Sequence, residues 1–256
     1  EVVTAANPRH LELYKDFIYE RLQRTGMDRQ DIHRLAARDR HVFAALMLAH
    51  GHGDGLITGA TRKSAHVLEN INYVFDADAE HGAVGVTALL HRGRIVLIAD
   101  TLVQEWPDEE DLATIAERSA DVARHLGLEP RVAFVSLSTF GYPVSERATK
   151  MHRAPLVLDR RGVSFEYEGE MTVDVALNVK AQESYPFQRR TAPANSLVVP
   201  ARHSASISVK LMQEMAGATV IGPILAGVDA SIQICSTNMT ANDILNMAVL
   251  AACKVG

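Results

Sequence analysis

Cysteine is scarce in this chain. Cys235 and Cys253 are the two in 256 residues, too few for a secreted disulfide scaffold and without zinc-ligand spacing. Both read as buried thiols in a reducing compartment, with the cytoplasm the expected location. Long apolar runs are missing as well. The most apolar stretches, residues 95–99 and 247–252, fall far short of the roughly 20 residues that a membrane-spanning helix needs. The N-terminus has no apolar core of a signal peptide, so no partnership with a membrane is expected. Nor does charge of one sign collect anywhere: 26 basic and 31 acidic residues give a net charge of -5, with no run that suggests a nucleic-acid arm or an acidic tail. Internal repeats, low-complexity segments and clear linkers are also absent. What remains is a globular composition, 47% hydrophobic and 22% charged, long enough for one large or two medium domains.

The pattern along the chain is that of an α/β protein. Asn7 and Pro8 form a helix start and Gly26 a stop, with Leu11, Tyr14, Phe17, Ile18 and Leu22 on one face. Further helices are expected through residues 32–37 and 39–50, then a short strand at 56–58 that turns at Gly59 into a helix carrying Ala65, Leu68, Ile71 and Phe75. Residues 84–90 and 95–99 read as a hairpin joined at His91-Arg92-Gly93-Arg94. A helix over 109–126, opened by acidic residues and closed by Gly127, precedes a buried strand at 131–137. Strands at 196–199, 219–221 and 231–235 alternate with helices at 204–215 and 241–253.

In open α/β sheets ligands bind where strands end and helices begin, because helix amides point at them there. Two such turns stand out. Thr58-Gly59-Ala60-Thr61-Arg62-Lys63-Ser64-Ala65-His66 puts hydroxyls and two cations at a helix N-terminus; it reads as an anion site or as a helix start with exposed charge. Cys235-Ser236-Thr237-Asn238-Met239-Thr240-Ala241-Asn242-Asp243 is again strand to helix, and its T-x-x-D spacing also suits a helix cap. Ser136-Leu137-Ser138-Thr139 offers more hydroxyls at a strand end, with ordinary turn chemistry as the alternative. His50, His52 and Asp54 could converge on a metal, but three glycines in five residues favour a helix end and turn, and no metal site is expected. Glu166, Glu168 and Glu170 alternate as on the solvated face of a strand. No P-loop, dinucleotide fingerprint or hydrolase elbow is present.

Taken in order, several segments resemble the phosphate acetyl/butyryltransferase family, and most of all the version found at the C-terminus of large bacterial malic enzymes. They are residues 59–69, Ile98-Ala99-Asp100-Thr101, residues 131–136 with Ser138-Thr139-Phe140-Gly141, Tyr167-Glu168-Gly169-Glu170-Met171, Pro193-Ala194-Asn195 and residues 218–223. The resemblance implies a two-lobed α/β fold, related to the isocitrate and isopropylmalate dehydrogenases, with the second lobe inserted in the first. Lobe one would be 1–71 plus 223–256 and lobe two 72–222. The start at Glu1-Val2-Val3 then implies that opening strands lie upstream, beyond this sequence, with any malic enzyme region before them.

Active members of that family carry a Ser-Arg pair before the last helix and an aspartate within it, the aspartate preparing the CoA thiol and the arginine stabilising charge. Ser236 and Asp243 match the serine and aspartate, but Thr237 stands at the arginine position, and Glu69 stands where a second arginine is expected. The resemblance therefore implies a cleft that binds acetyl-CoA or phosphate through Thr61, Arg62, Lys63, Ser64, His66, Ser138, Thr139, Ser236, Thr237, Asn238 and Asp243, in an acetyl-CoA-sensing domain that regulates a malic enzyme and is itself without transferase activity. An active phosphate acetyltransferase is the alternative. The segment itself would need no cofactor, NADP and a divalent Mg or Mn belonging to the malic enzyme region. It would pair as a homodimer, within a larger homo-oligomer of the parent chain.

Overall fold

The computed structural model of this chain describes residues 10–75 and 82–253. The elements run α1 (Leu11–Leu22), α2 (Arg29–Arg38), α3 (Arg40–Ala49), β1 (Leu56–Gly59), α4 (Ser64–Asn72), β2 (Val84–His91), β3 (Arg94–Ala99), α5 (Glu109–His125) and β4 (Arg131–Val135). There follow α6 (Glu146–Arg161), β5 (Glu166–Met171), α7 (Val173–Leu177), α8 (Val179–Gln182), β6 (Ser196–Val198), α9 (Arg202–Ala216), β7 (Thr219–Ala226), β8 (Ile232–Cys235) and α10 (Ala241–Ala252). They form two compact units, Glu1–Glu80 with Val228–Lys254 and His81–Gly227.

The first unit holds a two-stranded parallel sheet, β1 beside β8, with Leu56 opposite Ile232 and Gly59 opposite Cys235. Two of its helices, α2 and α3, start where carboxylates take up free amides: Asp28 accepts from Asp31 N at 2.8 Å, and Asp39 accepts from His41 N and Val42 N at 2.8 and 3.2 Å. Tyr14, Ile18, Ile32, Val42, Leu46 and Ile71 fill the core. The helix start expected at Asn7 and Pro8 lies outside the described residues. His50 and Gly51 end α3, Gly51 with a φ of +70°, and His52 Nδ1 is 2.6 Å from the hydroxyl of Tyr14. That stretch is accordingly a helix end and turn, and among the described residues no three His, Cys, Asp or Glu side chains converge as metal ligands would.

The second unit is a six-stranded sheet in the order β5-β4-β6-β3-β2-β7. β2 and β3 form the expected hairpin, turning through Arg92 and Gly93, both at positive φ as a two-residue turn requires. β3, β4, β5 and β6 are parallel to one another, and β7 runs antiparallel to β2. β7 is longer than the sequence suggests: it continues through Gly222 and Pro223, pairing with β2 on both sides of them. Leu89, Ile98, Ala133, Val135, Met171, Leu197 and Ala205 pack into one core.

Three features differ from the sequence expectations. First, α6 is a helix that no expectation covered, although Ala148, Met151, Ala154 and Leu158 are buried at helical spacing; Pro155 stands inside it and lacks the N–H that would bond the carbonyl one turn back. Ser145 caps its start and Gly162, left-handed, its end. Second, the Glu166, Glu168 and Glu170 series is not a solvated face, for Glu168 and Glu170 are buried. The segment after α8 and the β4–α6 loop cover them with donors: Thr191 N and Oγ1 to Glu166, Arg189 N to Glu168, and Ser138 and Gly141 to Glu170. Third, Cys253 is exposed, at the end of α10; Cys235 alone is the buried thiol, its pKa raised by that burial.

Candidate functional site

Parallel pairing of β1 with β8 brings the two candidate turns of the first unit side by side. Gly59, at φ +104°, leaves no room for a side chain, since a Cβ there would lie 2.2 Å from the carbonyl oxygen of Cys235. The strand ends are joined by Ala60 N donating to Cys235 O at 2.8 Å. From this seam residues 60–63 lead into α4 and residues 236–240 into α10. Thr61, Arg62, Lys63, His66, Thr237 and Asn238 are exposed, and Ser64, Ser236 and Asp243 half-buried. Two rims of hydroxyls, one also bearing cations, thus lie at the ends of neighbouring parallel strands, where helix N-termini favour anions.

The two helix starts differ. At α10, Thr240 and Asp243 form a full capping box: Asp243 Oδ2 accepts from Thr240 N and from Thr240 Oγ1, and Asp243 N donates to Thr240 Oγ1 at 3.3 Å. At α4 the capping position is Lys63, whose side chain has no acceptor, and no side chain caps the helix.

The cations of the first turn are partly engaged. Arg62 Nη1 is 2.9 Å from His66 Nε2 and 3.9 Å from Asp39 Oδ2. A guanidinium only donates, so His66 Nε2 must accept, which places the imidazole proton on Nδ1. Nδ1 faces Glu69 Oε2 at 3.5 Å. Glu69 thus faces the histidine of the turn that leads into α4.

Ser138 and Thr139 belong to the second unit. Ser138 is buried and donates to Glu170 Oε1 at 2.8 Å; Thr139 Oγ1 accepts from Thr172 N at 3.1 Å. Glu170, fully buried at 0% exposure, also accepts from Gly141 N at 2.7 Å, and its Oε2 is 2.8 Å from His152 Nδ1. His152 is half-exposed, at 52%. Sequence reasoning missed this cluster because no helix was expected over α6, which carries His152 and has Pro155 inside it, and Glu170 reads as one of a polar series. The lone available signal was a strand-end hydroxyl loop.

The sequence profile of the phosphate acetyl/butaryl transferase family matches residues 1–252. The chain belongs to that family. An NADP-dependent malic enzyme of Rhizobium meliloti (strain 1021) is 48% identical over the whole of this chain, which covers 34% of that protein. A phosphate acetyltransferase of Bacillus subtilis (strain 168) is 27% identical, with 91% of this chain and 72% of that protein aligned. The chain thus spans about a third of the length of the malic enzyme relatives it matches. Among solved structures, the EutD phosphotransacetylase from Staphylococcus aureus superposes with a TM-score of 0.87 at 21% identity, covering 100% of this chain and 79% of that one. The family fold is therefore shared throughout. No helix among the described residues is long and apolar enough to cross a membrane.

Proposed function

We propose that this chain is the phosphotransacetylase-like domain of an NADP-dependent malic enzyme and that it binds acetyl-CoA as a regulator, without transferring the acetyl group. The observation that carries the reading is the state of the two family charge positions. Thr237 offers a hydroxyl where an active transferase has a guanidinium, and Glu69 puts a carboxylate against His66 in place of a second cation. Loss of one preorganised charge donor costs on the order of 100-fold or more in rate, and here two are lost. Asp243, at the position of the family's base, has one oxygen engaged twice by Thr240. The exposed hydroxyls and cations of the two rims remain able to bind an anionic ligand.

In this reading the two units are the two lobes of an isocitrate dehydrogenase-like fold, the second inserted in the first, and acetyl-CoA biases their arrangement and through it a malate-oxidising site elsewhere in the longer protein. That site would hold NADP and a divalent Mg or Mn and convert malate to pyruvate by oxidative decarboxylation. The protein would work in the cytoplasm. Pairing of two copies through α9 is supported by an exposed apolar stripe, Ile207, Leu211 and Met215, spaced four residues apart.

A second reading, an active phosphate acetyltransferase, draws on Ser236 and on the exposed Arg62 and Lys63 in the neighbouring rim. One experiment separates them. The full-length protein is assayed for thioester formation from acetyl phosphate and CoA, and titrated with acetyl-CoA by calorimetry. Binding without turnover is expected; turnover like that of active family members would establish the transferase instead, and absence of binding would overturn both.

A further inference from the structure

The second unit carries a groove of about 910 Å³ where its central strands begin, at the opposite end of β4 from the Ser138 loop. Arg94 opens β3 and Arg131 opens β4, and both side chains line the groove. β6 lies between these strands, so the two that carry the arginines are about 9–10 Å apart. Leu128 and Leu177 give the groove apolar walls.

Each arginine is braced by a single bond to a backbone carbonyl. Arg94 Nη2 donates to Leu177 O at 3.3 Å, and Arg131 Nε to Pro193 O at 2.9 Å. A guanidinium has five N–H donors, so most of each fork is left over, and neither arginine makes an ion pair among the described residues. A third guanidinium lies behind the same wall. Arg190 is 4% exposed and donates through Nη1 to Ala176 O and Ala192 O, the neighbours of Leu177 and Pro193. Burial lowers its pKa, Arg131 acts in the same direction, and Glu168 and Glu166 act against it. Elsewhere in this unit guanidinium groups meet carboxylates: Arg160 and Arg161 at Glu110, Arg189 at Asp159. The acid that lines the groove is Asp174. It pairs with neither arginine, and a hydrogen bond with the Thr172 side chain is the main influence holding its carboxyl below the usual range. Braced cations, spare donors and apolar walls therefore meet in one groove.

We infer that this groove binds a small aliphatic dicarboxylate, one carboxylate on the fork of Arg94 and the other on that of Arg131, with the carbon body against Leu128 and Leu177. Planar forks match carboxylates through two parallel N–H···O bonds, and mostly apolar walls with a few placed polar groups are what an organic ligand needs. With one fork reaching in from each strand, a body of roughly two to four methylene groups spans the remaining distance. Ser138 and Thr139 lie at the other end of β4, so the groove stands or falls independently of the acetyl-CoA reading.

The test is calorimetry on the full-length protein with glutarate, hexanoate and inorganic phosphate, for the wild type, Arg94→Gln and Arg131→Gln. Glutarate is expected to bind the wild type more tightly than hexanoate, which has one carboxylate, or phosphate, which has no carbon body. Each variant should weaken glutarate about tenfold or more, the scale of a lost charge-assisted bond, and leave acetyl-CoA binding as it is in the wild type. A glutarate site that both variants keep in full lies elsewhere in the longer protein; if it is the sole site, the groove is not a dicarboxylate site. Phosphate binding that both variants abolish, with no glutarate site lost, overturns the ligand class. Acetyl-CoA binding lost together with glutarate overturns the separation of the two sites. Arg131 also holds the Pro193 carbonyl, so Arg94→Gln decides the matter should Arg131→Gln unfold. A second measurement needs no variant: hydrogen exchange across residues 173–182 slows with glutarate and not with hexanoate. No slowing, together with no calorimetric binding of glutarate, overturns the proposal.

Discussion

Asp243 Oδ2 accepts both the backbone N–H and the hydroxyl of Thr240, each at 2.8 Å. The side chain that the proposed reading equates with the family's base is thus also a structural part of its own helix. Thr240→Ala is expected to cost about 1 kcal/mol, the usual value of an N-cap, read as a lower urea midpoint at unchanged slope. Asp243→Ala should cost a similar amount. Because the two residues share one network, the double variant should lose less than the sum.

Restoring charge should restore chemistry. In the proposed reading, Thr237→Arg with Glu69→Arg puts guanidinium groups at the two positions where active members carry them, and it removes the carboxylate facing His66. The expected outcome in the coupled thioester assay is a gain of at least 100-fold over the parent, on the scale at which a single preorganised donor acts. Unchanged activity would show that charge loss at these positions is not what limits transfer.

Glu170 provides a sharper stability test. Its Oε1 serves Ser138 and Gly141, and its Oε2 faces His152. Glu170→Ala leaves a hydroxyl and an amide without their acceptor, at about 1–3 kcal/mol each. Glu170→Gln keeps a carbonyl oxygen for both and should lose less than half as much. Chemical denaturation of the three proteins checks the order.

His41 makes stability depend on pH in a defined direction. Burial, its largest influence, lowers its folded pKa below the ordinary value of 6.5. Between those two values the unfolded chain holds the proton and the folded one does not, so stability falls as pH falls through 6.5 and continues to fall until the folded value is reached. His41→Asn should flatten this slope between pH 7 and 5.5, measured by urea midpoints in phosphate-free buffer.

The apolar stripe of α9 predicts an oligomeric effect. Leu211→Glu places a charge in the middle of Ile207, Leu211 and Met215. Light scattering should then show the protein in a smaller assembly, with the unfolding midpoint at high dilution unchanged.

Much of this fold is legible because its signals are local. Asp28, Asp39, Asp108 and Thr240 each cap a helix through their own side chain, and Arg92 with Gly93 fixes a hairpin. The strand-to-helix turns at 58–66 and 235–243 are legible as turns, β1 ending at Gly59 before α4 and β8 at Cys235 before α10. What could not be read is long-range. Glu170 looks like a surface carboxylate until a loop 30 residues earlier covers it, and His41 looks like any helix residue until β1 brings Thr58 to its ring. The pairing of β1 with β8 joins residues nearly 180 positions apart, a relation that no window of sequence contains.

Gly59 has one further implication. The approach of its Cα to the Cys235 carbonyl is a demand of two backbones, indifferent to what the loops beyond them do. A descendant of this family that abandons acyl transfer is still bound to keep a glycine there, while Ser236, Thr237 and Glu69 are at liberty to drift. A signature built around that glycine therefore counts ancestry, and a census of working enzymes has to be taken from the side chains on either side of the seam.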